Sequence, residues 1–179
     1  MKRESNEIKK ENDRAASFMR FCEVVRHLRA EDGCPWDRAQ THTSLKPYCI
    51  EEAAEVIGGI NIWEATGDAE NLKEELGDLM LQILLHAQIA EEEGLFTIRE
   101  VMDGASEKMI RRHPHVFGEE SYELLGGHAD SWKEIKQIEK AGMAEDQKKA
   151  QERAVYLATQ QIIEHLQKSL DKYGDNDYK

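Results

Sequence analysis

The sequence predicts an all-α fold, a bundle of four main helices followed by C-terminal helices. Three observations favour this class. Apolar residues recur at helical spacing in long blocks. The 179 residues include 12 Gly and 3 Pro, too few for the frequent turns of a β-sandwich. No segment shows a convincing strand pattern, and a chain of this length corresponds to one domain.

The first predicted helix and the loop after it are separated by residues that break helices. Apolar side chains follow a helical period from Ala15 to Leu28. Gly33 and Pro35 end that pattern, and the stretch to Thr43 is predicted to be an ordered loop.

The later helices are delimited by capping signals. Asp68 is a candidate N-cap after the Thr66-Gly67 turn, and Gly94 ends the helix that follows. The segments Thr97–Glu100 and Ser131–Glu134 each match a capping box. The predicted helices are, in order, residues 15–28, 44–64, 68–93 and 97–112, a short helix opening at Ser131, and residues 145–172.

The chain is predicted to have three parts. Residues 1–14 are polar and form a flexible N-terminal tail, residues 15–142 form the main helical domain, and residues 143–179 form a C-terminal helical extension. Within the domain a loop is expected over residues 113–120, and Gly126-Gly127 forms a link.

The charge balance argues against two classes of partner. The chain carries 36 Asp and Glu against 24 Lys and Arg, a formal net charge of −12. A general binder of nucleic acid or of anionic membranes would show a basic patch instead. A phosphorylated substrate remains compatible with this charge if a metal ion reverses it locally.

The cysteines and the hydropathy indicate a cytoplasmic protein. The three cysteines, Cys22, Cys34 and Cys49, form no CxxC pair and are expected to be reduced thiols. No run of 18 apolar residues is present, and the N-terminus lacks the apolar core of a signal peptide. Neither a membrane span nor a signal peptide is therefore expected.

Two acidic motifs on consecutive helices are the strongest chemical feature. Spacings of three residues place carboxylates on one face of each helix, and the short turn at Thr66-Gly67 makes the helices antiparallel neighbours. Four oxygen ligands can then converge on a hard cation, Mg²⁺ or Mn²⁺. The converging pairs are Glu52 with Glu55, from Glu51-Glu52-Ala-Ala-Glu55, and Glu75 with Asp78, from Glu74-Glu75-Leu-Gly-Asp78.

A solvated acidic face is the alternative interpretation of these motifs, and it is the usual one for such charge runs. A helical wheel argues against it here, because the carboxylates share their arcs with apolar residues. Buried carboxylates without partners are costly, and a metal ion is the simplest compensation for four of them. The residues on those arcs are Val56, Gly59, Ile62 and Trp63 on one helix, and Gln82, Leu85 and Ile89 on the other.

The second acidic helix also carries a segment that predicts self-association. Residues 79–90 are apolar on nearly every side, and such a helix is normally covered all round. A chain of this length offers few helices to cover it. We therefore expect a homodimer, with a tetramer as the alternative.

Four segments together resemble the MazG-type nucleoside triphosphate pyrophosphohydrolases of the all-α NTP pyrophosphatase superfamily. The resemblance covers about residues 18–140. It implies an all-α fold related to dimeric dUTPases and Mg²⁺-dependent hydrolysis of nucleoside triphosphates to the monophosphate and pyrophosphate, for removal of surplus or damaged nucleotides. The segments are GCPWDRAQTHTSLKPYCIEEAAEV, KEELGDLMLQILLHAQIAEEEGLF, EKMIRRHPHVFG and SWKEIKQIEK.

The resemblance also implies roles for individual residues. The metal ligands would be Glu52, Glu55, Glu75 and Asp78, and Glu51 and Glu74 would support them or orient water. One of Glu51, Glu52 or Glu55 would take the proton of the attacking water. The substrate would be held by Lys108, Arg112, Trp132 and Lys136.

The chain departs from the family pattern in two respects. Many relatives carry two such domains in tandem, whereas this chain has room for one. Some relatives have a Lys four residues before the Glu of the second acidic motif; Asn71 occupies that position here, and Lys73 lies nearby.

Several interpretations stay open at this point. A narrower dUTP or phosphoribosyl-ATP pyrophosphohydrolase would differ only in substrate, and a non-catalytic helical dimer module is the rival from another class. Trp132 and Trp36 are each candidates for packing or for contact with a base. Gln40 and His42 are candidates for contact with the base or the ribose.

Overall fold

The computed structural model describes residues 2–118 and 132–174. Every regular element in this part of the chain is a helix, which confirms the predicted all-α class. The helices are α1 (Lys2–Arg29), α2 (Pro35–Ala39), α3 (Lys46–Thr66), α4 (Glu70–Glu92), α5 (Ile98–Arg112), α6 (Pro114–Phe117), α7 (Trp132–Ala141) and α8 (Glu145–Gly174).

The chain divides into two compact units, Met1–Val101 and Met102–Lys179. The division falls within α5, whereas the sequence placed boundaries after residues 14 and 142. The three predicted parts and the four-helix bundle stay predictions. Each unit is described by itself below.

Two segments are more helical than the sequence predicted. Helix α1 begins at Lys2 rather than at Ala15, because Lys, Glu and Arg favour helix even without an apolar stripe. Part of the loop predicted over residues 113–120 is a helical turn, Pro114–Phe117. Proline occupies its first position, and Gly118 ends it with a φ of 87°. The capping box predicted at Ser131 lies outside the described residues.

The loop between α1 and α3 is held against the end of α1. A Cβ at Gly33 would lie 2.2 Å from the carbonyl oxygen of His27, so only glycine fits there. The guanidinium of Arg29 donates to the carbonyls of Asp37 and Gln40 and forms an ion pair with Glu92 on α4. Hydrogen bonds from Arg29 are the main reason that the pKa of Glu92 is lowered. This buried arginine fixes the loop that carries His42.

Helices α3 and α4 pack closely because of one glycine. Helix α3 ends at Gly67, whose φ of 77° is favoured by glycine and whose N–H bonds to Trp63 O at 2.8 Å. The N-cap of α4 is Ala69 and not Asp68 as predicted, because the helix begins at Glu70. The side chain of Asp68, one residue before the cap, accepts a hydrogen bond from the N–H of Glu70 at 3.0 Å. Gly59 is buried, and a Cβ there would lie 2.8 Å from the Cα of Leu72. The two backbones therefore approach as near as a hydrogen side chain allows.

The core of the first unit lies between α1, the loop and α4. Its buried members form one cluster, and partly buried side chains pack around it. Full burial of each large aliphatic side chain contributes about 1.5–3 kcal/mol. The cluster consists of Val25, Leu45, Leu84, Leu85 and Ile89, with Phe18, Phe21, Cys22, Leu81 and Ile98 packed against it.

The start of α5 has the capping box that the sequence predicted. The backbone N–H of Thr97 donates to Glu100 Oε2 at 2.8 Å, and the N–H of Glu100 donates to Thr97 Oγ1 at 3.3 Å. Gly94 ends the preceding helix with a φ of 69°. None of the helices in the described part has the length and apolar character needed to cross a membrane.

Candidate metal centre

Three carboxylates from α3 and α4 converge, as the spacing of the acidic motifs predicted. One carboxylate oxygen each from Glu52, Glu75 and Asp78 lie within 4.8 Å of one another. Glu52 comes from α3 and the other two from α4, one turn apart. The close approach at Gly59 holds these facing helices together.

Glu55 is the fourth member of this group, which we call the carboxylate cluster: Glu52, Glu55, Glu75 and Asp78. Burial raises the pKa of Glu55 above its ordinary value, and the charge of Glu75 and a hydrogen bond to it raise it further. Burial also raises the pKa of Glu52, with added repulsion from Glu55 and Asp78. The two α3 carboxylates therefore release their protons less readily than an isolated glutamic acid does.

Neutral amides, rather than cations, hold two of these carboxylates. Asn71 Nδ2 donates to Glu75 Oε1 at 2.8 Å. Gln82 Nε2 lies 3.4 Å from Glu52 Oε1, and this hydrogen bond partly offsets the rise in the pKa of Glu52. Sequence reasoning noted Asn71 only as a departure from the family. The signal available was spacing, since Asn71 and Gln82 each lie four residues from an α4 member of the cluster.

The donor set fits a hard divalent cation. All four groups present carboxylate oxygens, which Mg²⁺, Mn²⁺ and Ca²⁺ prefer. Among the ion pairs of the described residues, none involves a member of the carboxylate cluster, and Lys73 on the same helix pairs with Glu70 instead. Burial is the main cause of the raised pKa of Glu52 and Glu55 and repulsion between the carboxylates adds to it; a bound cation would relieve that repulsion.

The flanking acids of the two motifs are exposed. Glu51 precedes Glu52 on α3, and its charge contributes to the raised pKa of Glu55. Glu74 precedes Glu75 on α4 and also faces solvent. Both stand beside the cluster, and their predicted catalytic roles stay predictions.

The predicted substrate-binding residues belong to the second unit. Lys108 is exposed on α5. Arg112 is 16% exposed and donates through Nε and Nη2 to Glu139 on α7. The side chains of Trp132 and Lys136 lie outside the described residues, so the structure gives them no contacts. The contribution of these four residues to substrate binding stays a prediction.

A polar group beside the carboxylate cluster was missed by sequence reasoning. The imidazole Nδ1 atoms of His42 and His86 lie 2.7 Å apart, with the rings stacked, and His86 Nε2 lies 3.4 Å from Cys49 Sγ. Burial and then the charge of His42 lower the pKa of His86. These residues are far apart in the sequence, and only the packing of the loop and α3 against α4 brings them together.

An apolar recess adjoins this group. Its walls come from α3, α4 and the segment leading to Val101, and it encloses about 270 Å³. Cys49, Gln82 and His86 contribute to its lining. The predicted base-contact candidate Trp36 is elsewhere: it is 52% exposed and packs edge-on against Tyr48.

Comparisons with known proteins agree with the acidic motifs. Residues 40–117 match the model of a MazG nucleotide pyrophosphohydrolase domain. The chain is 49% identical over 123 residues to the nucleoside triphosphate pyrophosphohydrolase/pyrophosphatase MazG of Thermotoga maritima, covering 69% of this chain and 45% of that protein.

Two further relatives match over a similar length. The nucleoside triphosphate pyrophosphohydrolase of Escherichia coli is 40% identical over 127 residues, covering 70% of this chain and 47% of that protein. The uncharacterized protein YabN of Bacillus subtilis is 47% identical over 133 residues, covering 74% of this chain and 26% of that protein. The matched part thus spans less than half the length of each of these relatives.

Proposed function

Because residues 40–117 belong to the MazG nucleotide pyrophosphohydrolase domain family, a family of hydrolases, we propose that this chain hydrolyses nucleoside triphosphates to the monophosphate and pyrophosphate. The observation that carries the proposal is the carboxylate cluster, in which three oxygens lie within 4.8 Å of one another. Two relatives are named for this reaction. A triphosphate would be repelled by such a cluster unless a cation intervened.

We assign Mg²⁺ to the cluster, with Mn²⁺ as the alternative. Glu52, Glu55, Glu75 and Asp78 would hold it, and Asn71 and Gln82 would fix two of the carboxylates through their amides. A bound divalent cation supplies neutralisation of the phosphate charge and a more acidic water.

The carboxylates of this chain then perform the proton chemistry. One of Glu51, Glu52 or Glu55 takes a proton from water, and Glu74 orients that water. The water oxygen forms a bond to a phosphorus atom next to the α–β bridging oxygen, the bond from that phosphorus to the bridging oxygen breaks, and pyrophosphate leaves the monophosphate. Burial and the charges of neighbouring carboxylates raise the pKa of Glu52 and Glu55 above the ordinary value, and a carboxylate with a higher pKa is a stronger base.

Basic residues of the second unit would hold the phosphates. Lys108, Arg112 and Lys136 are assigned to the outer phosphates, where their charge stabilises the leaving pyrophosphate. Trp132 is assigned to the nucleotide as well. Lys108 and Arg112 are four residues apart on α5 and therefore share a face.

A panel assay tests the proposal. The purified chain is incubated with each common ribo- and deoxynucleoside triphosphate, with Mg²⁺, with Mn²⁺ and with EDTA, and the products are separated. Monophosphate and pyrophosphate that disappear in EDTA are expected. Diphosphate and phosphate would contradict the assigned scissile bond.

The same panel separates the alternatives. Turnover of dUTP or phosphoribosyl-ATP alone would indicate one of the narrow enzymes. No turnover of any nucleotide, with a folded protein, would favour the non-catalytic module. A cytoplasmic location stays a prediction.

We propose that the chain forms a homodimer through α3 and α4. Large apolar side chains on these helices remain exposed in the described part of the single chain, and a second copy would cover them. Residues 79–90, which are apolar on nearly every side, also need such a cover. Size-exclusion chromatography with light scattering should give twice the 20.6 kDa chain mass, and four times that mass would indicate the tetramer. The exposed side chains are Ile57, Ile62, Trp63, Leu76, Met80 and Ile83.

A further inference from the structure

Gln82 connects the carboxylate cluster to the apolar recess. Its side chain is 6% exposed. Nε2 donates to Glu52, and Oε1 is closed to solvent with no hydrogen-bond partner. Exchanging the two ends of the amide would place its oxygen against the carboxylate of Glu52, which would repel it. Repulsion therefore keeps Nε2 toward Glu52 and Oε1 away from it. A buried amide oxygen without a donor is destabilising, and a hydrogen-bond donor on a ligand would remove that penalty.

The recess has the size and lining of a site for one flat ring system. Its volume of about 270 Å³ lies just below the range of about 300–1,000 Å³ for small-molecule sites, so we expect it to hold a base and not a whole nucleotide. The walls are mostly apolar, with the rings of His86 and Phe96 among them. Gln82 follows Asp78 by one helical turn, which places it about 6 Å along the axis from a member of the cluster.

We propose that this recess binds the base of the nucleoside triphosphate, and that Gln82 Oε1 accepts a hydrogen bond from an N–H on the edge of that base. The inference rests on the proposed function, because the occupant is taken to be the substrate. A phosphate is a poor occupant, since Glu52 would repel it and the lining contains no lysine or arginine. An aliphatic group would leave Oε1 unpaired.

Entry of the base requires side chains at the mouth to move. Oε1 is covered as the chain stands. Phe96 is 41% exposed and lies outside the buried core, so its ring can rotate without disturbing that core. Once the base is in place, Gln82 holds a cluster carboxylate with one end of its amide and the base with the other.

Paired substrates test the inference. The kcat/KM of ATP is compared with that of purine riboside triphosphate, which lacks the amino group, and UTP is compared with 3-methyluridine triphosphate, which lacks the N3 proton. In the parent protein the donor-bearing member of at least one pair should be favoured by about tenfold or more. In Gln82→Met, which keeps the shape but not the acceptor, that ratio should fall close to one.

Asn71→Leu is the matched control. It also removes an amide donor from a cluster carboxylate, but Asn71 is not part of the recess. Its kcat/KM should fall by the same factor for both members of a pair, which leaves the ratio unchanged. Equal kcat/KM values within both pairs in the parent, or a ratio that survives Gln82→Met, would overturn the inference and leave the hydrolase proposal standing.

Alkylation of Cys49 gives a readout that does not depend on turnover. Cys49 lines the recess, whereas Cys34 does not. α,β-Methylene-ATP, which resists cleavage between the α and β phosphates, is added with Mg²⁺. It should slow the reaction of Cys49 with iodoacetamide, measured by mass spectrometry, and leave the reaction of Cys34 unchanged. Protection in a protein that hydrolyses no nucleotide would support the recess while overturning the proposed reaction. If Cys49 is protected at high protein concentration whether or not the nucleotide is present, a second copy fills the recess, and the inference is overturned.

Discussion

Each unit of this chain has acidic groups between helices, but their neighbours carry opposite charges: other carboxylates in the first unit and arginines in the second. In the first unit, Glu52 and Glu55 face further carboxylates across α3 and α4, and burial and repulsion raise the pKa of both. In the second unit, Glu139 on α7 accepts hydrogen bonds from Arg111 and Arg112, and the bonds from Arg112 are the main cause of its lowered pKa.

The difference lies in what balances the negative charge of each acidic group. The charge of Glu139 is already balanced by two guanidinium groups, so a cation would gain little there. Among the described residues, the carboxylate cluster receives hydrogen bonds from outside itself only from amides, and a cation there would gain the attraction of several carboxylates. Acidic residues between helices are therefore informative about function only when their partners are known.

The largest expected effect is the loss of activity when the cluster loses one charge. Asp78→Asn and Glu52→Gln should each lower kcat/KM by more than about a hundredfold, because losing a ligand should exceed the 10–100-fold cost typical of supporting residues. Steady-state kinetics with Mg²⁺ measures this. Circular dichroism should show unchanged helix content, and full activity in either variant would contradict the assignment of the site.

Glu139→Gln should have a smaller effect, and on stability. It leaves two partly buried arginines without their carboxylate, which should lower the free energy of unfolding by about 1–3 kcal/mol. Urea unfolding measures the change. Glu145 pairs with Lys148 at 3.9 Å and is 68% exposed, so the control Glu145→Gln should change stability by less than about 1 kcal/mol. Equal effects of the two substitutions would mean that the Glu139 pairs are as weak as a surface pair.

Gly59→Ala tests whether the close approach of α3 and α4 forms the cluster. The added Cβ would lie 2.8 Å from the Cα of Leu72, and overpacking of this kind costs about 1–3 kcal/mol. Both stability and Mn²⁺ affinity, measured by calorimetry, should fall. At Gly58 a Cβ meets nothing within 4 Å, so Gly58→Ala should stabilise the helix by about 0.5–1 kcal/mol. If both substitutions lower the stability, the cause lies in α3 itself and not in the contact between Gly59 and Leu72.

Sequence reasoning predicted the convergence of three carboxylates better than it predicted their surroundings. Glu52, Glu75 and Asp78 could be found because a period of three places carboxylates on one face and a two-residue turn pairs the helices. The helical class and the capping box at Thr97 were predicted from similarly local signals. These features depend on residues close together in the chain.

The features that sequence reasoning missed depend on long-range packing. His42 and His86 meet only because the loop after α1 is held against α4, and the pairing of Arg112 with Glu139 joins α5 to α7. The start of α1 was placed too late because its polar first turns carry helix propensity without an apolar period. Propensity and periodicity are separate signals, and the prediction used the second.

The smallest expected effect is the way in which the stability difference between Glu52→Gln and the parent protein changes with pH. In EDTA, the raised pKa of Glu52 means that the folded state keeps a proton that the unfolded state has released. The contribution of Glu52 to the stability of the parent therefore falls as pH rises from about 4.3, the ordinary value, through the raised value. Glutamine is neutral throughout, so Glu52→Gln should become increasingly more stable than the parent as pH rises. Urea unfolding at several pH values measures this difference.

Glu139→Gln provides the contrasting case in the same experiment. The lowered pKa of Glu139 gives stability that is present above the ordinary value and is lost as pH falls through the lowered one, so this variant should become increasingly less stable than the parent as pH rises. At neutral pH the same change from Glu to Gln should therefore raise the stability at position 52 and lower it at position 139. Saturating Mg²⁺ should reverse the sign only for Glu52→Gln, because the parent then gains binding energy that the variant lacks. The same sign for both variants in EDTA would mean that the carboxylate cluster is compensated within the protein, and it would then offer a cation no more than Glu139 does.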